Sequence, residues 1–349
     1  MIKIQQKAFG KGSTLYTLQN KNGLVLEVTN FGARIVRLSV PTTKGQKNIV
    51  LGFDSAEEYA EKDLYFGATI GRVAGRIKKG TFSIDEQEYQ LEVDPIYGNV
   101  LHGGASSFEE RLWSARVVAE EKSSSVIFTY VSPAGENGFP GRLTVSVQYT
   151  LNALNEWSVA YSAVTDQPTL FNPTNHVYFN LSGDAATSIA EHELFIDADH
   201  FAVVAEDTTA TGEIRSVSGT PFDFRRSQKI KQVFETSYQQ NLLVDGLDHP
   251  FLFNKTRKDR PNAILSYPET GISVELYTDQ PAVVIFTGQF GSAGPVVSGG
   301  KMINHGGITL ETQVSPGAVE FDELGSIILR PEEVFKSKTI YKICMNADG

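Results

Sequence analysis

Leu143-Thr144-Val145-Ser146-Val147-Gln148-Tyr149-Thr150-Leu151 decides the fold class, because apolar and polar residues alternate through it without a break. Successive side chains of a strand point to opposite faces, so this period of two puts Leu143, Val145, Val147, Tyr149 and Leu151 on one side and the polar residues on the other. That is a half-buried strand. Trp157, Val159, Tyr161 and Ala163 repeat the pattern after the loop Asn152 to Glu156, which predicts an antiparallel partner.

The same theme extends in both directions. Leu24 to Val28 and Ile35 to Val40 read as strands broken by a turn at Asn30-Phe31-Gly32, and Thr81 to Ile84 and Tyr89 to Val93 flank the polar Asp85-Glu86-Gln87-Glu88 as in a hairpin. Ile272 to Leu276 and Val283 to Phe286 follow, separated by Asp279-Gln280-Pro281. Helical signals are few. Ser55-Ala56-Glu57-Glu58 has the form of a capping box, and Ile230, Val233 and Phe234 share a helical face within Ser227 to Tyr238. Many strands with a few short helices predict an all-β protein, a large antiparallel β-sandwich. No linker or repeat marks a boundary, so residues 1–349 are expected to form a single domain.

Composition narrows the function. With 41% hydrophobic residues the 349-residue chain can bury a substantial core, and its formal charge of −10 disfavours nucleic acid and anionic membrane surfaces, both of which need a basic footprint. A neutral small molecule suits it better. Cys344 has no second cysteine to pair with, and the N-terminus lacks an apolar signal region, so a cytoplasmic location is expected. Gly10-Lys11-Gly12 is too short for a dinucleotide fingerprint, Gly299-Gly300-Lys301 lacks the rest of a phosphate loop, and no Gly-x-Ser-x-Gly occurs. Asp197-Ala198-Asp199-His200 lacks metal-ligand spacing and reads as a solvated turn.

Chemistry concentrates in Phe171-Asn172-Pro173-Thr174-Asn175-His176-Val177-Tyr178-Phe179-Asn180-Leu181-Ser182-Gly183. Val177 to Leu181 reads as a short strand, and Asn172-Pro173 forces an extended approach to it, so His176 sits on a rigid support. An imidazole exchanges protons near neutral pH. Further segments set ionisable residues against turns or strands: Gly71-Arg72-Val73-Ala74-Gly75-Arg76-Ile77, Asn99-Val100-Leu101-His102-Gly103-Gly104, Leu247-Asp248-His249-Pro250-Phe251 and Gly306-Gly307-Ile308-Thr309-Leu310-Glu311-Thr312-Gln313. In their order and spacing these segments resemble the signature segments of the galactose mutarotase (aldose 1-epimerase) family, over close to the full length of the chain.

The resemblance implies the family's supersandwich fold and an isomerase that interconverts the α and β anomers of galactose, glucose and related free aldohexoses by opening and reclosing the ring. It implies Glu311 as base, His176 as acid, His102 as a hydrogen-bonding group near the ring oxygen, and Arg76 and Asp248 as residues that hold hydroxyls. Tyr178, on the strand face of His176, packs under the sugar or shares its hydrogen bonds. One carboxylate and one imidazole suffice for this chemistry, so neither cofactor nor metal is expected. A carboxylate near His176 is expected to favour its charged form and raise its pKa. Arg72 competes with Arg76 on residue type alone, and only the resemblance favours the latter. The chain departs from the family's pattern at Gly75, where many relatives carry asparagine, and at Val283 to Phe286, where some carry glutamine. A hexose-6-phosphate epimerase using Arg72, Arg76, Lys78 and Lys79, a carbohydrate-binding module, and a glycosidase with Asp248 and Glu311 as its carboxylates are the rivals. The expected partner is a small sugar, with a monomer or homodimer as the assembly.

Overall fold

The computed structural model describes residues 2–62, 64–254 and 260–345. Its centre is the strand Leu143–Asn152, whose residues alternate strictly between buried and half-buried, as the sequence predicts. It pairs antiparallel with Glu156–Thr165 in the register Leu143↔Thr165 to Leu151↔Trp157. These two lie within a nine-stranded antiparallel sheet that also contains Ser123–Ser132 on one side and Phe335–Met345, Ile272–Thr278 and Ala263–Tyr267 on the other.

A six-stranded sheet carries the chemistry. Its order is Tyr178–Phe179, Ile308–Gln313, Ala282–Phe286, Asp248–Leu252, His200–Val204 and Ala210–Ser216. Alternation divides its faces. Phe179, Ile308, Leu310, Val283, Ile285 and Phe251 join a buried apolar cluster with Val147, Tyr149, Trp157 and Tyr341 of the nine-stranded sheet. Residues one position away, including Tyr178, Thr309, Glu311, Gln313, Phe286 and Asp248, face the other way. Trp157 and Tyr341 stack at 4.2 Å and 7°, and the Tyr341 hydroxyl donates to the Leu310 carbonyl at 3.3 Å. The core is thus fastened directly to the strand that bears Glu311. A five-stranded meander, Lys3–Gly10 through Gly45–Asn48, contributes Leu18, Leu26 and Leu38 to the same cluster.

Helix is confined to Ala56–Lys62 and Gln239–Val244 among the described residues, with several short 3-10 turns. The capping box forms: Ser55 Oγ accepts from the Glu58 N–H, while the Glu58 carboxylate reaches back to the Asp54 N–H. The helix expected over Ser227 to Tyr238 does not form. Gln228–Lys229 instead adds to the edge of Glu193–Ile196, and Ile230–Val233 makes a 3-10 turn. A single tight turn already buries Ile230 and Val233, so their three-residue spacing satisfied the core without a helix. The second strand of the predicted hairpin begins earlier, at Gln87–Gln90. Asp85 and Glu86 both adopt positive φ (51° and 66°), and a two-residue turn of that kind sets the register at once. Only Tyr178 and Phe179 of the predicted Val177 to Leu181 strand pair in a sheet. Asp197 is no solvated residue: it is 8% exposed and accepts from Arg260 at 2.6 Å and Asn254 at 3.0 Å.

Leu310→Ala removes a fully buried side chain from between the sheets while leaving Glu311 in sequence. It is expected to cost about 2–5 kcal/mol of unfolding free energy in a urea titration. A loss under about 1 kcal/mol would show that the two sheets are not packed through this strand.

Candidate active site

The face of the six-stranded sheet that points away from the core forms the floor of a solvent-open cavity of about 180 Å³. Glu311, His176, His102, Arg76, Asp248 and Tyr178 all line it, so the structure brings the sequence-predicted site residues to one place. They come from five separate stretches of chain.

Glu311 projects from the middle of Ile308–Gln313 and is 3% exposed. Thr309, two residues earlier on the same face, donates its hydroxyl to Glu311 Oε1 at 2.8 Å. Burial pushes the Glu311 carboxyl up to about 8; the Thr309 hydrogen bond opposes this, the charge of Asp248 adds to it and Arg76 offsets part of that. His176 Nε2 lies 3.4 Å from Glu311 Oε1. Its backbone is pinned on both sides, the N–H donating to the Ala68 carbonyl and the carbonyl accepting from the Gly67 N–H, each at 2.9 Å. Asn175 reinforces this by donating to the Gly67 carbonyl and the Tyr149 hydroxyl. Buried at 4% exposure, the imidazole is pushed down to about 3. The expectation that a neighbouring carboxylate would raise it is therefore overturned: removal from water outweighs the attraction when the carboxyl itself is held neutral by the same burial. With the imidazole down at about 3 and the carboxyl up at about 8, the proton at neutral pH rests on Glu311 and the His176 ring is neutral.

His102 stands at the end of Val100–Leu101, which pairs with Arg76–Ile77. The Gly75 N–H donates to His102 Nδ1 at 3.1 Å, which puts the proton of the neutral ring on Nε2 and makes that atom a hydrogen-bond donor. Burial, followed by the nearness of His176 and Arg76, holds the imidazole well below its ordinary value, so it stays neutral. The glycine after it is required: a Cβ on Gly103 would lie 2.2 Å from the Gly71 carbonyl oxygen. Ring centroids of His102 and His176 are 5.2 Å apart, and Tyr65 packs its ring edge-on against His102 at 4.6 Å.

Arg76 Nη1 and Asp248 Oδ2 meet at 3.4 Å across the cavity floor, both partly exposed. Arg72 does something else. Its guanidinium is 2% exposed and donates to Ser132 and Thr169 hydroxyls and to the carbonyls of Pro133, Pro140 and Gly141, locking the loops behind the site. The ambiguity between the two arginines is settled by burial. Tyr178 stacks on Phe66 at 4.4 Å and donates its hydroxyl to the Leu64 carbonyl at 3.2 Å, leaving the ring as the surface it presents to the cavity.

Tyr65, Phe286, Phe290 and Gln313 also line the cavity and were not anticipated. Gln313 was within reach of the period-two argument, since it lies two residues past Glu311. Tyr65 gave no sequence signal; its positive φ of 66° is a property of the folded loop. His102, His176 and Glu311 each offer one ligand atom within 4.8 Å of the others, the grouping with metal-ligand chemistry among the described residues.

Comparisons with known proteins place the chain in a family. The family model described as aldose 1-epimerase matches residues 14–342. The galactose mutarotase of Bos taurus is 38% identical over 349 residues, covering 98% of this chain and 99% of its own, and that of Homo sapiens is 37% identical over 354 residues at the same coverage. The aldose 1-epimerase of Escherichia coli K12 is 32% identical over 338 residues, 95% of this chain and 96% of its own. Among solved structures, galactose 1-epimerase from Lactobacillus acidophilus superposes with a TM-score of 0.89 at 30% identity, covering 99% of this chain and 100% of that one. The chain belongs to the aldose 1-epimerase family.

Proposed function

We propose that the protein is an aldose 1-epimerase, a mutarotase that interconverts the α and β anomers of galactose and of other free aldohexoses such as glucose. The observation that carries this reading is the 3.4 Å approach of His176 Nε2 to Glu311 Oε1, two buried side chains on the wall of the cavity. Ring opening needs a base for the C1 hydroxyl and an acid for the ring oxygen, and reclosure needs the same pair with roles exchanged. The proton resting on Glu311 first passes to His176 Nε2 across the 3.4 Å between them; Glu311, now a carboxylate, takes the hydroxyl proton while the protonated His176 gives its own to the ring oxygen. The open-chain sugar then faces a neutral carboxyl and a neutral imidazole, the form that burial favours. Rotation about the C1–C2 bond followed by reclosure on the other face returns both protons. No proton enters or leaves, so the cycle needs no external donor.

His102 Nε2–H supports the ring oxygen region as a fixed neutral donor, and Arg76 and Asp248 bind hydroxyls, the guanidinium donating and the carboxylate accepting. The Tyr178 ring supplies an apolar surface beneath the sugar. Among the described lining residues Arg76 is the one Lys or Arg, which disfavours a hexose phosphate as substrate. Among the described residues no helix is long and apolar enough to cross a membrane. A cytoplasmic location, with free sugar as the partner and a monomer or homodimer as the assembly, is supported by the single Cys344 and the charge of −10.

Several outcomes are expected. Added to freshly dissolved α-galactose, the protein accelerates the change in optical rotation over buffer, and no acceleration would end this reading. Glu311→Gln lowers kcat by about 10²–10⁴-fold, whereas a sugar-binding module would lose nothing; released reducing sugar from a glycoside would instead point to a hydrolase. The pH profile of kcat/KM falls as pH rises through about 8, where the proton leaves Glu311; a profile flat to pH 10 would exclude it. The same carboxyl makes a stability prediction. Below its ordinary pKa of 4.5 Glu311 is protonated folded or unfolded; as pH climbs toward 8 only the unfolded chain ionises, so the folded state loses stability across that window. The unfolding temperature of Glu311→Gln should therefore rise relative to the parent between pH 4.5 and 8 and keep a constant advantage above it, measured by scanning calorimetry.

A further inference from the structure

Gln313 is fully buried, lines the cavity, and has no hydrogen-bond partner for either its amide nitrogen or its amide oxygen. Among the buried side-chain amides of the described residues it alone lacks both: Asn175 and Asn241 each leave only an oxygen unmet and donate through their nitrogens. Buried polar groups in folded proteins are nearly always paired, so an amide left with two empty valences at a binding site calls for a partner that comes from outside.

The surroundings show why the fold supplies none. Across the strand pair Gln313 faces Ala282, and the next residue in that row is Leu252, neither of which offers a polar side chain. On the cavity side stands Gly75, where a Cβ would lie 3.8 Å from Gln313 Nε2 and 2.6 Å from Pro316 Cγ. Pro316 fills the position a side chain at Gly75 would take, and Gln313, Gly75 and Pro316 together border the cavity. Gln313 also shares a strand face with Glu311, and two residues along a strand span about 7 Å.

Resting on the mutarotase reading, we propose that Gln313 is a substrate-contacting residue that selects for one free hydroxyl of the aldose away from C1. With Glu311 at the anomeric hydroxyl, the amide stands further along the same sheet face and so meets the part of the ring remote from the reacting centre. A hydroxyl both donates and accepts, which matches the two unmet atoms of a carboxamide. The recognised class is aldoses bearing that hydroxyl free, and a sugar in which it is replaced by hydrogen leaves the amide unmet and binds worse.

The test compares the parent protein with Gln313→Met, a side chain of similar length without polar atoms, on galactose and on its 2-, 3-, 4- and 6-deoxy analogues by polarimetry. The expected result is a rise in KM for galactose of roughly 10- to 100-fold, larger than any change in kcat. For one deoxy sugar, and only one, parent and variant have the same kcat/KM. The unfolding temperature of the variant is equal to or above that of the parent, because an unpaired buried amide has been replaced by an apolar group; a merely structural glutamine would give the opposite shift. Unchanged KM for galactose, an equal loss on every deoxy sugar, or a lowered unfolding temperature would each overturn the proposal. Should the parent itself fail to accelerate galactose anomerisation, the mutarotase reading falls. Calorimetric binding of galactose to both proteins then decides the role of Gln313, with equal affinity overturning it and weaker binding to the variant upholding it.

Discussion

Everything at the site follows from the burial of one carboxyl group beside one imidazole. Left in water, Glu311 would be ionised at neutral pH and His176 would titrate near its free value, and neither would need the other. At 3% and 4% exposure their charged forms lose hydration, so the carboxyl keeps its proton and the imidazole beside it stays neutral at pH 7. Such a pair can hand protons to two ends of a hemiacetal without calling on solvent. The surrounding architecture serves to keep the two groups at this separation and out of water.

Two devices do so. The first is the division of faces in the six-stranded sheet, where Ile308 and Leu310 enter the core and Thr309 and Glu311 turn to the cavity. The tie from the Tyr341 hydroxyl to the Leu310 carbonyl anchors that strand to the larger sheet. The second is the clamping of the His176 backbone by Gly67 and Ala68, with Asn175 bonded in behind it. Arg72 extends the same logic outward, since a single buried guanidinium collects the carbonyls of three loop residues near Ser132 and Thr169. Arg76, four positions on, is left partly exposed and free to meet a ligand. One segment thus supplies both a structural fastener and a cation on the cavity wall.

Where the local pattern was strong, it agreed with the fold. The alternation from Leu143 to Leu151 became a strand with the expected partner, and Ser55 with Glu58 became a capped helix start. Where an apolar spacing admitted two solutions, as for Ile230 and Val233, the edge of the neighbouring sheet chose the 3-10 turn over the helix. The candidate residues themselves were legible through the resemblance of their five segments to the aldose 1-epimerase family; residue type alone left Arg72 level with Arg76. The cavity's aromatic wall was not: Tyr65, Phe286 and Phe290 look like any other core residues until the chain closes around a space.

What the sequence determined by itself was the all-antiparallel character of the protein, which side of each long strand is apolar, and a short set of residues able to move protons. These depend on neighbours one to four positions away, and that information is written locally. Only the tertiary structure decided which of Arg72 and Arg76 faces the cavity, that His176 is driven toward its neutral form and not its charged one, and that Gln313 is left with no partner inside the protein. Each is a matter of hydration and proximity between groups that the chain brings together from far apart. Glu311 and His176 exert no field on one another until the sheets pack, and the water they lose is removed by residues from every part of the sequence.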